Sequence, residues 1–309
     1  MSAPVHLAEV SVPFAWVDVF ADIPLTGNPL PVVWEAELLD EGTMRAVARE
    51  FNQSETTFVL PPTLPGAHRR LRSFTPSGAE VTGAGHNTLG AWWLLASAGC
   101  LDLTEGTTTL IQEIGGRTLP VRIDVTDGQP TAILQFQAPP EMNAPLDIRE
   151  ELALALGLKP ENLDTSMSPQ VVSTGAAHLL VPATDRAAVD RAAPDAPRLA
   201  RLLAQAGGQG CYLFTSEPPS TGTHAYTRFF NPTVGIWEDP ATGSAAGPLA
   251  AYLVAHERIA AGVAVNIEQG HRMGRPSRLT VHTGSEGIAI AGRGVTLAEG
   301  RLRFPHTRE

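Results

Sequence analysis

Arg72-Ser73-Phe74-Thr75-Pro76 leads through Gly83-Ala84-Gly85-His86-Asn87-Thr88 into an apolar run, and this order returns much later in the chain. There Arg228-Phe229-Phe230-Asn231-Pro232 leads through Asp239-Pro240-Ala241-Thr242-Gly243-Ser244 into a second apolar run, Ala245 to Val254. Both copies read as strand, proline turn, glycine-containing bend and buried helix, the first helix covering His86 to Ser97. Upstream, the strand-like Thr56 to Leu60 is matched by Cys211 to Thr215, so the order of elements repeats as well as the motifs. Self-similarity over more than one element predicts two homologous lobes.

Outward from the repeat, Trp16, Val17, Val19 and Phe20 precede the turn signal Thr26-Gly27-Asn28-Pro29, and Leu30, Val32 and Val33 follow it. This predicts a strand, a turn and a strand. Asp40 can cap a helix whose Met44, Val47, Ala48 and Phe51 share one face, and Asn52-Gln53-Ser54 ends it. Further strands are predicted over 69–74, 107–112 and 117–125, and Pro139-Pro140 to Asn143 reads as an inter-domain linker. The chain is accordingly divided into lobes 1–138 and 139–309.

A length of 309 residues with 43% hydrophobic residues suits two cores better than one. The formal charge is −10 and no run of lysine or arginine could track a phosphate backbone, which argues against nucleic acid as a partner. The longest apolar run, Leu89 to Ala98, falls short of the roughly 20 residues that span a bilayer, and no basic segment with an apolar stretch opens the chain. A soluble cytosolic protein with no membrane partner is expected. Cys100 and Cys211 are far apart and in no metal or redox spacing, so both are expected in the core.

A helix start exposes unpaired N–H groups and a partial positive charge, and glycine lets a ligand come close to them. Two such starts facing each other across a cleft would hold a small carboxylate. His86 opens the first helix, Asp239 precedes the second, and Glu55 follows the break after the capped helix and opens a strand. Singly, each is more often a core histidine, a capping aspartate or a strand-end glutamate. Their shared placement around one cleft points to proton transfer.

With these residues in view, the sequence resembles the PhzF family of phenazine-biosynthesis isomerases over nearly its whole length. Asp18-Val19-Phe20 through Gly27-Asn28-Pro29-Leu30 looks like that family's opening strand pair, and Phe51-Asn52-Gln53-Ser54-Glu55-Thr56-Thr57-Phe58 like its catalytic-glutamate segment. Gly85-His86-Asn87-Thr88, Ser173-Thr174-Gly175, Glu238-Asp239-Pro240-Ala241-Thr242-Gly243-Ser244, Gln269-Gly270 and Gly274-Arg275 are similar to its later motifs, in order.

The resemblance implies an α+β, diaminopimelate epimerase-like fold in which each lobe is a β-sheet or barrel around a central helix. On this pattern a C-terminal strand, about 296–309, is expected to return to the first lobe. It implies isomerisation of a small cyclic acid such as trans-2,3-dihydro-3-hydroxyanthranilate, without metal or organic cofactor, by a homodimer. Glu55 would be the base and acid, helped by His86 and Asp239, with Gly85, Asn87, Gly243 and Ser244 binding substrate. Diaminopimelate epimerase and proline racemase, which share the pattern, use a cysteine from each lobe. The matching positions here are Ala84 and Thr242, neither of which can act as a thiolate. Asn87 stands where proline is common in the family, a departure that bears on substrate fit. Two alternatives stay open: a cysteine-independent epimerase or isomerase of another small acid, and a binding protein that kept the fold.

Overall fold

Helices that are apolar all the way round must be wrapped on every side, and two such helices organise this chain. The computed structural model describes residues 9–217 and 222–305. Its first half runs through β1 (Glu9–Val19), β2 (Asn28–Val33), α1 (Glu41–Phe51), β3 (Thr56–Leu60), β4 (Arg69–Phe74), β5 (Glu80–Val81), α2 (His86–Ser97), β6 (Gly106–Ile114), β7 (Arg117–Thr126) and β8 (Gln129–Phe136). β9 (Glu141–Met142), α3 (Arg149–Ala155), β10 (Gln170–Ser173), β11 (Ala177–Pro182), α4 (Arg186–Arg191), α5 (Ala196–Ala206) and β12 (Gly210–Thr215) follow. The chain then forms β13 (Ala225–Asn231), β14 (Ile236–Asp239), α6 (Gly243–Ala255), β15 (Val265–Gln269), β16 (Ser277–Gly284), β17 (Gly287–Gly292) and β18 (Gly294–Pro305).

Strand pairing repeats the sequence duplication in space. One ladder runs β8-β7-β6-β4-β3-β2-β1-β18. The other runs β17-β16-β15-β13-β12-β11-β10-β9. In each, only the third and fifth contacts are parallel: β6 with β4 and β3 with β2, then β15 with β13 and β12 with β11. Parallel neighbours need a crossover rather than a hairpin. α2 and α6 supply it at the third contact, while α1, and α4 with α5, supply it at the fifth. Antiparallel pairing of β8 with β17 joins the ladders. The result is an α+β fold of two similar lobes, each a sheet around one central helix.

Both central helices are buried along almost their whole length. Trp92 of α2 is fully buried, and its indole N–H donates to Gln112 at 2.9 Å, which in turn donates to Gln135 at 3.0 Å. A polar atom that deep is tolerable only when paired. By contrast α1 lies on the surface and buries one face, Met44, Val47 and Ala48. Asp40 caps it through the Thr43 N–H at 2.7 Å, and Asn52, at φ 50°, ends it.

The repeat extends to side chains. Arg72 pairs with Glu80 at 2.6 Å and lies 4.9 Å from the Phe74 ring centre. Arg228 pairs with Glu238 at 2.7 Å and lies 4.8 Å from that of Phe230. In each lobe an arginine thus pins a short outer strand, β5 or β14, to its neighbour. The second pair is the more buried, and Arg228 also donates to the carbonyls of Val189 and Ala192 at 3.1 and 2.7 Å.

Several expectations are corrected. Phe20 is a turn residue at φ 60°, because the hairpin must reverse there, and β1 begins as early as Glu9. The expected linker carries β9, which pairs with β10. α6 starts at Gly243 and runs to Ala255, taking in Pro248. Cys211 is buried, but Cys100 is exposed, since it follows Gly99 in the turn that leaves α2.

Gly27 is where the first hairpin depends on glycine. Its φ is +67°, and a methyl group there would sit 2.3 Å from the Val19 carbonyl oxygen and 2.8 Å from the Ala21 Cβ. Gly27→Ala should cost about 2 kcal/mol or more, from the left-handed backbone and the backbone clash together. Urea unfolding should show a lower midpoint with an unchanged slope; an unchanged midpoint would contradict this packing.

Candidate active site

Three elements deliver the titratable groups. The left-handed residue Asn52 turns the chain out of α1, and Glu55 then precedes β3. His86 is the first residue of α2, and Asp239 is the last of β14. The first turns of α2 and α6 meet around Phe20: a methyl group at Gly292 would touch both Phe20 and Leu89, and one at Gly243 would lie 3.5 Å from the same Phe20 ring. The two lobes therefore bring their helix starts to one place.

Glu55 Oε2 lies 3.6 Å from His86 Nδ1, too far for a hydrogen bond. That oxygen is buried and has no hydrogen-bond partner among the described residues. Burial, and then the negative charge of Asp239, push the Glu55 carboxyl up to about 8. His86 is pulled down to about 4 by burial, so its ring is neutral at physiological pH. A neutral ring also suits a helix start, where the dipole opposes a cation. Its Nε2 is 3.3 Å from Ser54 Oγ.

Asp239 is held differently. Asn28 donates to its Oδ1 at 2.9 Å, and Thr242 Oγ1 donates to Oδ2. Burial raises Asp239 to about 6, the hydrogen bonds from Thr242 and Asn28 oppose the rise, and the charge of Glu238 adds to it. Asn28 also donates to the Ala241 carbonyl at 2.9 Å. Gln269 donates to the Asp239 carbonyl at 2.7 Å and to Thr242 Oγ1 at 3.0 Å, and accepts from the Thr242 N–H and from the Tyr212 hydroxyl. With both oxygens engaged, Asp239 is fixed, whereas Glu55 keeps a bare oxygen.

Gly243 and Ser244 open α6, where first-turn N–H groups have no partner within the helix. Gln137 donates to the Gly243 carbonyl at 3.0 Å and accepts from Thr174 at 2.6 Å, tying the segment after β8 to this bend. Asn87, expected to contact substrate, instead turns inward and is 1% exposed. It donates to Ser73 Oγ and the Gly83 carbonyl, both at 3.1 Å, and accepts from the Gly85 N–H at 2.8 Å. The amide thus braces the bend, and the Gly85 N–H that was expected to face a ligand is already used.

Beside these groups lies a cleft of about 520 Å³ between the lobes, reached by Ser54 and Pro76 from one side and by Trp237, Asp239 and Met273 from the other. Its size suits a small molecule. Among the described residues no His, Cys, Asp and Glu side chains gather as a metal-binding group. Neither cysteine takes the racemase positions, and burial pushes the Cys211 thiol up to about 12.

Sequence reasoning missed the partners. Asn28 and Thr242 stood in quoted motifs without a role, and Gln269 stood only in a supporting one. Gln137 and His178, which reaches Ser244, gave no signal, since one follows a strand and the other sits alone in an apolar strand.

Known proteins bear on this geometry. The sequence model of the family described as "phenazine biosynthesis-like protein" matches residues 17–300. The trans-2,3-dihydro-3-hydroxyanthranilate isomerase of Pseudomonas aeruginosa is 34% identical over 290 residues, covering 92% of this chain and 97% of the relative. The crystal structure of a PhzF-family phenazine biosynthesis protein from Bacillus anthracis superposes with a TM-score of 0.86 at 28% identity, over 95% of this chain and 99% of that one. A hydroxyproline epimerase from Agrobacterium vitis shares the fold alone, with a TM-score of 0.62 at 12% identity, over 96% and 93% of the two chains. From the two-lobed ladder, the helix starts and these matches together, the chain belongs to the phenazine biosynthesis-like family and is an isomerase of the PhzF type.

Proposed function

We propose that the protein shifts a proton between two carbon atoms of a small cyclic carboxylic acid, trans-2,3-dihydro-3-hydroxyanthranilate or a close relative, with Glu55 as both base and acid. One observation carries this: the buried Glu55 Oε2 has no hydrogen-bond partner among the described residues, while both oxygens of Asp239 are engaged. In the reaction the Glu55 carboxylate takes a proton from one ring carbon and becomes a carboxylic acid. It then gives that proton to a second carbon on the same face, and the carboxylate returns. Nothing is oxidised or reduced. A carboxyl group near 8 is matched to both half-steps, because neither proton uptake nor release is far uphill near neutral pH.

Neutral His86 borders the carboxyl and orders the reacting edge of the substrate. Asp239, braced by Asn28 and Thr242, keeps the Glu55 proton affinity high and offers a fixed negative end to a substrate amine or hydroxyl. The first-turn N–H groups at Gly243 and Ser244 receive the substrate carboxylate. Resemblance to the family further supports a cytosolic homodimer and a division of the chain near residue 138, which sedimentation and limited proteolysis would test.

Glu55→Gln keeps the shape and removes the base. It should lower kcat on the dihydro-hydroxyanthranilate by roughly 10² to 10⁴ while anthranilate binding changes little. A folded Gln variant with near-native kcat would exclude Glu55 as the base.

Only ionised Glu55 can accept a proton, so native kcat/KM should climb with pH and level off above about 8. Asp239→Asn removes a charge that raises Glu55, so the climb should move to lower pH, whatever the loss in overall rate. A climb that stays in place would refute the coupling. Stability runs the opposite way: with the folded carboxyl raised from 4.5 to about 8, the contribution of Glu55 is full below the unfolded value and is lost as pH rises through 8.

A further inference from the structure

The start of α6 has a neighbour not yet used. His178 of β11 is 3% exposed, and its ring stands edge-on to Phe229, with centres 5.0 Å apart and planes at 88°. Its Nε2 lies 3.1 Å from Ser244 Oγ. Its Nδ1 is buried with no hydrogen-bond partner among the described residues. Burial pulls the imidazole down to about 4, so the ring is neutral.

A neutral imidazole has one N–H and one lone pair. Placing the hydrogen on Nδ1 would bury an unpaired donor, whereas placing it on Nε2 uses the contact with Ser244 and leaves only an acceptor unpaired. Orphaned buried donors are the rarer of the two, so the network assigns the hydrogen to Nε2. The Ser244 oxygen then accepts from His178, and the serine's own hydrogen must go elsewhere. Ser244 is only partly buried and belongs to the first turn of α6, the turn whose N–H groups are assigned above to the substrate carboxylate.

We propose that His178 is a positioning residue that holds the Ser244 hydroxyl as a one-way donor to the substrate's carboxylate. With the hydroxyl free to rotate, Ser244 would spend part of its time presenting a lone pair to that anion. With the imidazole in place it presents only hydrogen. This rests on the isomerase reading above for the identity of the ligand, but the contact itself is one of binding.

The test uses anthranilate and aniline, which differ by the carboxylate, in calorimetric titrations of the full chain. His178→Leu fills space without donating, and should weaken anthranilate about tenfold or more while leaving aniline unchanged. His178→Gln carries an amide N–H that can reach Ser244, and should keep anthranilate within about threefold of the native protein. Ser244→Ala should mimic the Leu variant, and adding His178→Leu to it should cost little more. In turnover, the Leu variant should raise KM more than it lowers kcat.

Equal losses for anthranilate and aniline, equal losses for Gln and Leu, or native affinity in the Leu variant would each overturn the proposal. Additive effects of the Leu and Ala changes would do the same. Should the Leu variant fail to fold, the Ser244→Ala and Gln variants still decide it. A native protein that binds anthranilate through this pair yet never turns over the dihydro acid would sink the isomerase reading and leave His178 in its place.

Discussion

Two carboxyl groups, the partly buried Glu55 and the buried Asp239, lie close enough for the charge of one to act on the other. That constraint shapes the site, because two like charges in a poorly solvated space cannot both be comfortable. The chain resolves it by unequal treatment. Asp239 receives Asn28 and Thr242 and settles near 6, while Glu55 receives no hydrogen bond on Oε2 from the described residues and rises to about 8. One group is thereby kept as a fixed charge and the other as a proton carrier. Each comes from a different lobe, so the contrast exists only when both lobes are folded and joined.

The duplication explains how the placement is achieved. Each lobe builds the same ladder, pins a short outer strand with an arginine over a phenylalanine, and sends a buried helix inward from the bend that follows. What the lobes carry at equivalent places then diverges. The first bend is braced by Asn87 and presents a neutral histidine; the second is braced by Gln137 and Gln269 and presents a serine. Arg228 and Glu238 anchor β14 just ahead of Asp239, more deeply than Arg72 and Glu80 anchor β5. The stricter anchor falls in the lobe that must hold a charge still.

Legibility in the sequence followed the range of the forces involved. α2 and α6 could be read because a continuous apolar run has few homes besides a wrapped helix, and α1 because its apolar face and its Asp40 cap are local. β8 escaped notice because Gln129, Pro130 and Thr131 dilute its pattern, although it joins the lobes. Glu55, His86 and Asp239 could be singled out from their places beside breaks and bends. Their partners could not: Asn28 meets Asp239 across 211 residues, and His178 meets Ser244 across 66. Asn87 was misjudged for the same reason, since a side chain in a motif can point at a ligand or back at its own loop, and only the fold decides.

The last strand of each ladder is borrowed across the repeat. β9 follows β8 in sequence but pairs with β10, and β18 follows β17 but pairs with β1 along nearly its whole length. During synthesis the second lobe has all its strands once β17 has emerged, while the first must wait for β18 before its ladder is complete. The usual order, in which the earlier-made part folds first, is therefore checked: the first lobe is made first and finished last. Until then β1 offers an unpaired edge on one side, and the glutamate-bearing lobe cannot be sealed before the partner lobe is already there to receive it.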